Sequence, residues 1–151
     1  MAQGKRRGLH VDKSSLNGVF AKMQNIAEVT NRRTLRRLRK GAEDVKQLAV
    51  KYAPVEDHNI EQSIDIEETR EGRNRRTVIK VFVNPSKGNT GTVEKYYLML
   101  HESTYKLGED SIEKQKGQSE KVGNKFLERA VDDSEVKIRA ALFNTIKAAL
   151  R

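Results

Sequence analysis

The sequence predicts an α+β domain in which a long N-terminal helix and a C-terminal helix pack on a small antiparallel sheet. Three patterns predict this class. Apolar or small residues recur every three or four positions from Leu16 to Tyr52, which is the period of one helical face. Segments 63–67 and 79–83 alternate with period two and are separated by polar residues, as in a β-hairpin. Residues 124–150 return to helical spacing.

The first helix is expected to begin near Ser14 or Ser15, because either hydroxyl can accept a hydrogen bond from a free backbone N–H. Pro54 disfavours helical geometry at Ala53 and should end the helix there. A continuous helix of this length would measure about 55 Å, which exceeds the usual diameter of such a domain. Helix propensity is weakest at 29–31, so a kink there and a projecting helix both remain open.

The hairpin is expected to have one apolar face, covered by the first helix because a two-stranded ribbon is not stable alone. That face carries Ile64, Ile66, Ile79, Val81 and Val83. The connection at 70–76 is polar and contains the candidate contact residues Arg73, Arg75 and Arg76. Residues 92–97 are a possible third strand.

The C-terminal half is predicted from weaker signals. Residues 98–102 are predicted to form either a short buried helix or a continuation of the possible third strand. Residues 103–121 contain few apolar side chains, so they are interpreted as a mobile excursion. The last helical region is predicted in two parts, 124–131 and 134–150, with Asp133 or Ser134 capping the second.

Length and composition favour one domain that other molecules complete. We interpret residues 1–14 as a flexible basic arm and 15–151 as a single domain. Only 36% of the 151 residues are apolar and 34% are charged, so the core must be thin. Without cysteine, disulfides and thiolate chemistry are excluded. No apolar run approaches the roughly 18 residues of a membrane span, and no signal peptide is visible. Synthesis in the cytoplasm is therefore expected.

Catalytic and cofactor motifs are not visible in the sequence. His10, His58 and His101 lack the spacing of a metal site, and no P-loop or nucleophile elbow occurs. Carboxylates occur as sequence neighbours, such as Asp132 and Asp133, which do not face one another on a helix. We therefore predict a protein that is not an enzyme, with no cofactor and no metal.

Positive charge is concentrated in the first third of the chain. Residues 1–53 hold 13 Lys/Arg and 4 Asp/Glu, a net +9, which equals the net charge of the whole chain. This charge is densest in residues 32–40, which we call the basic segment. Its six cations are Arg32, Arg33, Arg36, Arg37, Arg39 and Lys40. These cations can neutralise nucleic-acid phosphates. Alternatively they form a solvated face that pairs with carboxylates of a neighbouring subunit. Aromatic stacking platforms are missing from this segment.

Three stretches, in order, resemble the tail-completion or head–tail joining (neck) proteins of long-tailed bacteriophages. Residues 53–64, A-P-V-E-D-H-N-I-E-Q-S-I, are similar to the family's A-P-V-D-T-G-x-L-x-x-S-I, with His58 in place of Gly. Residues 97–104, Y-L-M-L-H-E-S-T, resemble Y-A-x-x-V-E-x-G-T, with the Gly missing and one residue deleted. Residues 125–130, K-F-L-E-R-A, resemble P-F-L-x-P-A, with Lys125 and Arg129 replacing both prolines.

The resemblance covers about 15–151 and implies a virion protein of the neck. It implies a homo-oligomeric ring of six or twelve copies between the portal-side connector and the tail, in which the arm, the hairpin connection and the excursion become ordered on neighbours. We expect Tyr97, Leu100 and Phe126 as assembly anchors, with Glu102 as an orienting group, although each is equally consistent with the core.

DNA passes through such rings, so a non-specific DNA contact of the basic segment is possible. A tight grip would hinder ejection, which favours an outward or intersubunit position. The alternative function is a non-enzymatic nucleic-acid-binding protein that uses the first helix.

Overall fold

The computed structural model describes residues 13–55, 59–72, 76–87, 93 and 99–151. Its elements in chain order are α1 (Lys13–Tyr52), α2 (Asn59–Ser63), β1 (Ile64–Glu71), β2 (Arg76–Val83), α3 (Glu109–Lys116) and α4 (Phe126–Ala149). Two long helices pack together with a two-stranded antiparallel sheet, which confirms the predicted α+β class.

Helix α1 is continuous over 40 residues, about 60 Å at 1.5 Å per residue. It runs through 29–31 without a break, and the Thr30 hydroxyl donates to the Ile26 carbonyl at 2.6 Å within the helix. The described helix already begins at Lys13, so the predicted cap at Ser14 or Ser15 is wrong.

The hairpin has the predicted pairing but longer strands. Ile64 pairs with Val83 and Ile66 with Val81, so the apolar residues share one face as predicted. The last pair is Glu71 with Arg76, so only residues 72–75 connect the strands and the predicted connection at 70–76 was too long. The turn begins at Gly72, whose φ of 74° suits glycine.

Two clusters of ion pairs surround the hairpin. The Arg39 guanidinium donates two hydrogen bonds to the Glu68 carboxylate, at 2.7 and 2.8 Å, and holds the pKa of that carboxyl below its usual value. Asp65 accepts from Lys87 at 2.7 Å and lies 3.9 Å from Lys46 of α1. These contacts orient the hairpin on one flank of α1.

Helix α4 is one helix rather than the two parts predicted. The predicted cap residues are occupied otherwise: Asp133 accepts a hydrogen bond from the Tyr52 hydroxyl at 2.7 Å, and the Ser134 hydroxyl donates to the Ala130 carbonyl at 2.7 Å. Neither is free to cap a new helix. Burial and the bond to Asp133 raise the pKa of Tyr52 to about 12, so this tyrosine stays protonated as the donor.

Helices α1 and α4 run antiparallel. Tyr52 near the end of α1 contacts Asp133 early in α4, and Arg33 further back borders the same groove as Ala148 near the end of α4. Between them Gly41 faces Ile138. A Cβ added at Gly41 would lie 2.9 Å from Ile138 Cγ1, so the Ile138 side chain packs directly against the α1 backbone at this glycine.

Residues 103–121 differ from the predicted mobile excursion, because they contain α3 and cap the C-terminus of α1. The last carbonyls of a helix lack intrahelical partners. Here Lys114 Nζ donates to the carbonyls of Val50 and Ala53 at 2.6 and 2.8 Å, and Gln118 Nε2 donates to that of Lys51 at 3.0 Å. Just beyond this segment, the Gly123 N–H binds the Tyr52 carbonyl at 2.9 Å. The low hydrophobicity of residues 103–121 did not predict this capping, because the capping depends on polar contacts.

Replacement of Lys114 by Met is expected to lower the free energy of unfolding by about 2 kcal/mol, since it leaves two carbonyls without their donor and removes the ion pair with Glu61. Urea denaturation measures the loss. Lys116→Met is the matched control, because Lys116 is exposed in the same helix. Equal stability of the two variants would show that Lys114 does not cap α1.

The core lies at one end of the molecule. It joins the end of α1, the hairpin base and the start of α4, and it comprises Val45, Ala49, Tyr52, Ala53, Ile60, Ile64, Val83, Val93, Leu100, Phe126 and Ala130. Residues 99–102 are helical, which is one of the two predicted alternatives. Val93, the described residue of the possible third strand at 92–97, is helical rather than extended. The other residues of that segment lie outside the described residues.

Candidate functional site

Two of the three residues predicted as assembly anchors, Leu100 and Phe126, lie in the core. Phe126 is 0% exposed and Leu100 is 6% exposed. Their side chains are covered by this chain, so they have no surface left for a neighbouring subunit. Glu102 is exposed and its carboxylate lies 2.8 Å from His101 Nδ1. Tyr97 lies outside the described residues.

The turn before α4 cannot hold proline at position 125 or 129, where the P-F-L-x-P-A pattern has one. Lys125 has a φ of 55°, in the left-handed region that a proline ring cannot adopt. Its N–H also donates to the His101 carbonyl at 2.6 Å. The Arg129 N–H donates to the Lys125 carbonyl at 2.9 Å, and the Arg129 guanidinium binds the carbonyls of Lys121, Gly123 and Asn124. A proline at either position would remove a donor used here.

The six cations of the basic segment have three different surroundings. Arg39 faces the hairpin, where Glu68 neutralises it. On the other flank of α1, four of them border a groove against α4: Arg33, Arg36, Arg37 and Lys40. Arg32 is exposed and does not line this groove. Within the described part of the chain, no carboxylate forms an ion pair with Arg32 or with the four groove cations.

The opposite wall of this basic groove is formed by α4. It consists of Ala141, Asn144, Thr145 and Ala148, and the groove has a volume of about 670 Å³. Sequence reasoning found the cations but missed this wall, since the two walls are about a hundred residues apart in the chain and no local pattern links them.

The predicted hairpin contact residues are only partly described. Arg76 lies in β2 rather than in the connection, and its guanidinium is 3.7 Å from the Glu71 carboxylate across the strand pair. Arg73 and Arg75 lie outside the described residues, as do His10 and His58.

Two exposed apolar stripes lie away from the core. Helix α4 ends beside Ile26 and Val29, so residues 13–24 of α1 continue about 18 Å beyond it. The α1 stripe consists of Val19, Phe20 and Met23 on this projecting part and of Ile26 beside the end of α4, all exposed. The α4 stripe consists of Val136, Phe143, Ile146 and Leu150, with Phe143 66% and Leu150 75% exposed.

The sequence held a signal for the α4 stripe that we interpreted only as core periodicity. Val136, Phe143 and Leu150 recur every seven residues, which is the repeat of a helix that packs on another helix. The spacing alone could not show whether another molecule or another part of this chain covers the stripe, because both kinds of packing require the same repeat. The structure shows that the described residues do not cover this face.

Across the residues that the structure describes, no cluster of three or more histidines and carboxylates is placed to hold a metal ion. None of the described helices combines the length and the apolar character needed to cross a bilayer. No protein-family model, no curated protein and no solved structure matches the chain. The resemblance to phage neck proteins therefore depends on the three sequence stretches alone.

Proposed function

We propose that this chain is a structural virion protein that joins phage head and tail by assembling with copies of itself into a ring. The observation that carries the proposal is the pair of apolar stripes on α1 and α4, which the described residues leave exposed. Large exposed apolar patches mark surfaces that bind other proteins. The order of the three family-like stretches supports the neck as the place of assembly.

The positions of the stripes allow a ring of copies. The α1 stripe lies on a projecting helix end, whereas the α4 stripe lies on the body of the molecule. A contact between the α1 stripe of one copy and the α4 stripe of the next is heterologous, and such contacts form rings when the rotation closes. Helical a/d-type spacing in both stripes suits helix-on-helix packing.

Assembly is tested by the mass of the full chain in solution. Native mass spectrometry should show a closed oligomer of six or twelve copies at concentrations of tens of micromolar. A double variant, Phe143→Ser with Leu150→Ser, should shift the chain to monomer, because both exposed side chains leave the stripe.

The matched control is Ile112→Ser with Val131→Ser, which removes exposed apolar side chains outside both stripes and should keep the oligomer. If the wild-type chain remains a monomer, or if both double variants dissociate equally, the stripes are not the assembly surfaces. Within purified particles, the proposal requires a fixed number of copies per virion, and absence from the particle contradicts the joining role.

A further inference from the structure

We propose that the basic groove between α1 and α4 binds the phosphodiester backbone of duplex DNA without reading its sequence. This inference goes beyond the joining role, since it assigns a ligand to a surface distinct from both apolar stripes. It identifies Arg33, Arg36, Arg37 and Lys40 as the contact residues and excludes Arg39, which Glu68 already neutralises.

The charge of the groove is unbalanced within the described residues. Its four cations make no ion pair there, in contrast to Arg39 and Lys46 on the hairpin flank of α1. Asp44 borders an adjoining cleft, where Lys137 of α4 accompanies it together with Arg37 and Lys40. The surface around the groove therefore retains a net positive charge, which attracts a polyanion.

The arrangement of the cations fits a row of phosphates. Residues 33 to 40 of one helix extend over about 10 Å. Successive phosphates of a DNA strand lie further apart than the axial rise of about 3.4 Å per nucleotide, so the groove can meet about two to three phosphates of a strand. Three of the four side chains are arginines, whose planar forks bind phosphate oxygens in pairs.

The α4 wall adds a neutral donor and leaves space. The Asn144 side chain is exposed and makes no hydrogen bond within the described residues, so its amide can donate to a phosphate oxygen. The Thr145 hydroxyl instead donates to the Ala141 carbonyl at 2.8 Å. Ala141 and Ala148 are small, which lets a backbone approach between the helices.

The composition of the groove favours duplex DNA over single strands and over sequence-specific contacts. None of its eight lining residues is aromatic, so unpaired bases have no ring to stack on. The cations lie between two helices rather than on a helix end free to enter the major groove. Phosphate contacts alone position a protein on DNA and carry no sequence information.

Fluorescence anisotropy with a labelled 30-base-pair duplex of random sequence tests the proposal on the full chain. At 50 mM salt we expect micromolar binding, on the order of 10⁻⁵ to 10⁻⁶ M, that weakens steeply as salt rises. A groove variant with Arg33, Arg36, Arg37 and Lys40 all changed to Gln should bind at least about tenfold more weakly and lose about 1.8 to 2.7 from the slope of log K against log salt, at about 0.9 for each of two to three phosphate contacts.

The matched control changes four exposed lysines outside the groove to Gln and removes the same charge. These are Lys51, Lys106, Lys116 and Lys121. The control should stay within about threefold of the wild-type affinity, with a similar slope. Equal losses of DNA affinity in the two variants would mean that binding depends only on the net charge of the protein, and this result would overturn the proposal.

A second variant keeps the α1 cations and places acid on the opposite wall. Asn144→Asp with Ala148→Glu should weaken DNA binding, whereas Gln62→Glu with Ser103→Glu, both exposed and outside the groove, should not. Unchanged binding in the first of these would show that the groove does not hold DNA. Poly-glutamate is the competitor: displacement of the duplex at an equal concentration of charges would assign the groove to an acidic protein surface and reject DNA.

Discussion

Replacement of Phe126 by Ala should lower the free energy of unfolding by about 3 to 5 kcal/mol, the usual cost of deleting a fully buried phenyl ring. The ring is 0% exposed and lies edge-on to the His101 ring, with their centroids 5.2 Å apart. It belongs to the core cluster that connects the start of α4 with Leu100 and Tyr52. Its removal leaves a cavity at the junction of three elements, which the backbone can fill only in part.

Urea denaturation followed by circular dichroism measures this loss as a lower urea concentration at the midpoint. The melting temperature should fall by about 6 °C or more. Phe143→Ala provides a matched control, because it removes the same side chain from an exposed position of the same helix. At concentrations where the chain is monomeric, the control should lose less than about 1 kcal/mol. Similar losses at both positions would contradict the burial of Phe126.

Replacement of Lys125 by Pro should lower the free energy of unfolding by about 3 kcal/mol or more. Proline fixes φ near −65°, whereas Lys125 has a φ of 55° at the residue before α4. The substitution also deletes the N–H that donates to the His101 carbonyl at 2.6 Å. Both effects act at the turn that positions Phe126, so the start of α4 must rearrange.

Lys125→Gly separates backbone geometry from the loss of the side chain. Glycine adopts positive φ readily, so this variant should match or exceed the wild-type stability by up to about 1 kcal/mol. It loses only the exposed ion pair with Glu128, at 3.0 Å, which contributes little. If the Lys125→Pro variant is as stable as the wild type, residue 125 does not adopt the left-handed conformation, and the turn is closer to the phage neck pattern.

The long helix and the hairpin were predictable because local sequence determines them. The three-to-four-residue period from Leu16 to Tyr52 continues through the weak stretch at 29–31, where the gain from packing and the next helical turns exceeds the small propensity cost. Alternation in 63–67 and 79–83 predicted that the apolar side chains of both strands share one face, and the observed pairing of Ile64 with Val83 places them there.

Two of the errors concerned polar residues whose hydrogen-bond partners the sequence does not reveal. Ser134 was predicted as a cap, yet its hydroxyl binds within the helix while Asp133 accepts from Tyr52. Lys114 lies in a segment without apolar periodicity and was predicted to be mobile, yet it binds carbonyls at the end of α1. Hydrogen bonds of this kind depend on which ends meet in space, and hydrophobic spacing does not record them.

By itself, the sequence determined the long first helix, the helical character of the last region, the hairpin and the concentration of positive charge in the first third, because periodicity and composition are local properties. Only the tertiary structure decided that Arg39 is neutralised while Arg33 and Arg37 line a groove, and that Phe126 is buried while Phe143 is exposed. The physical reason is the same in each case: residues with the same chemistry differ in function according to which distant segment packs beside them.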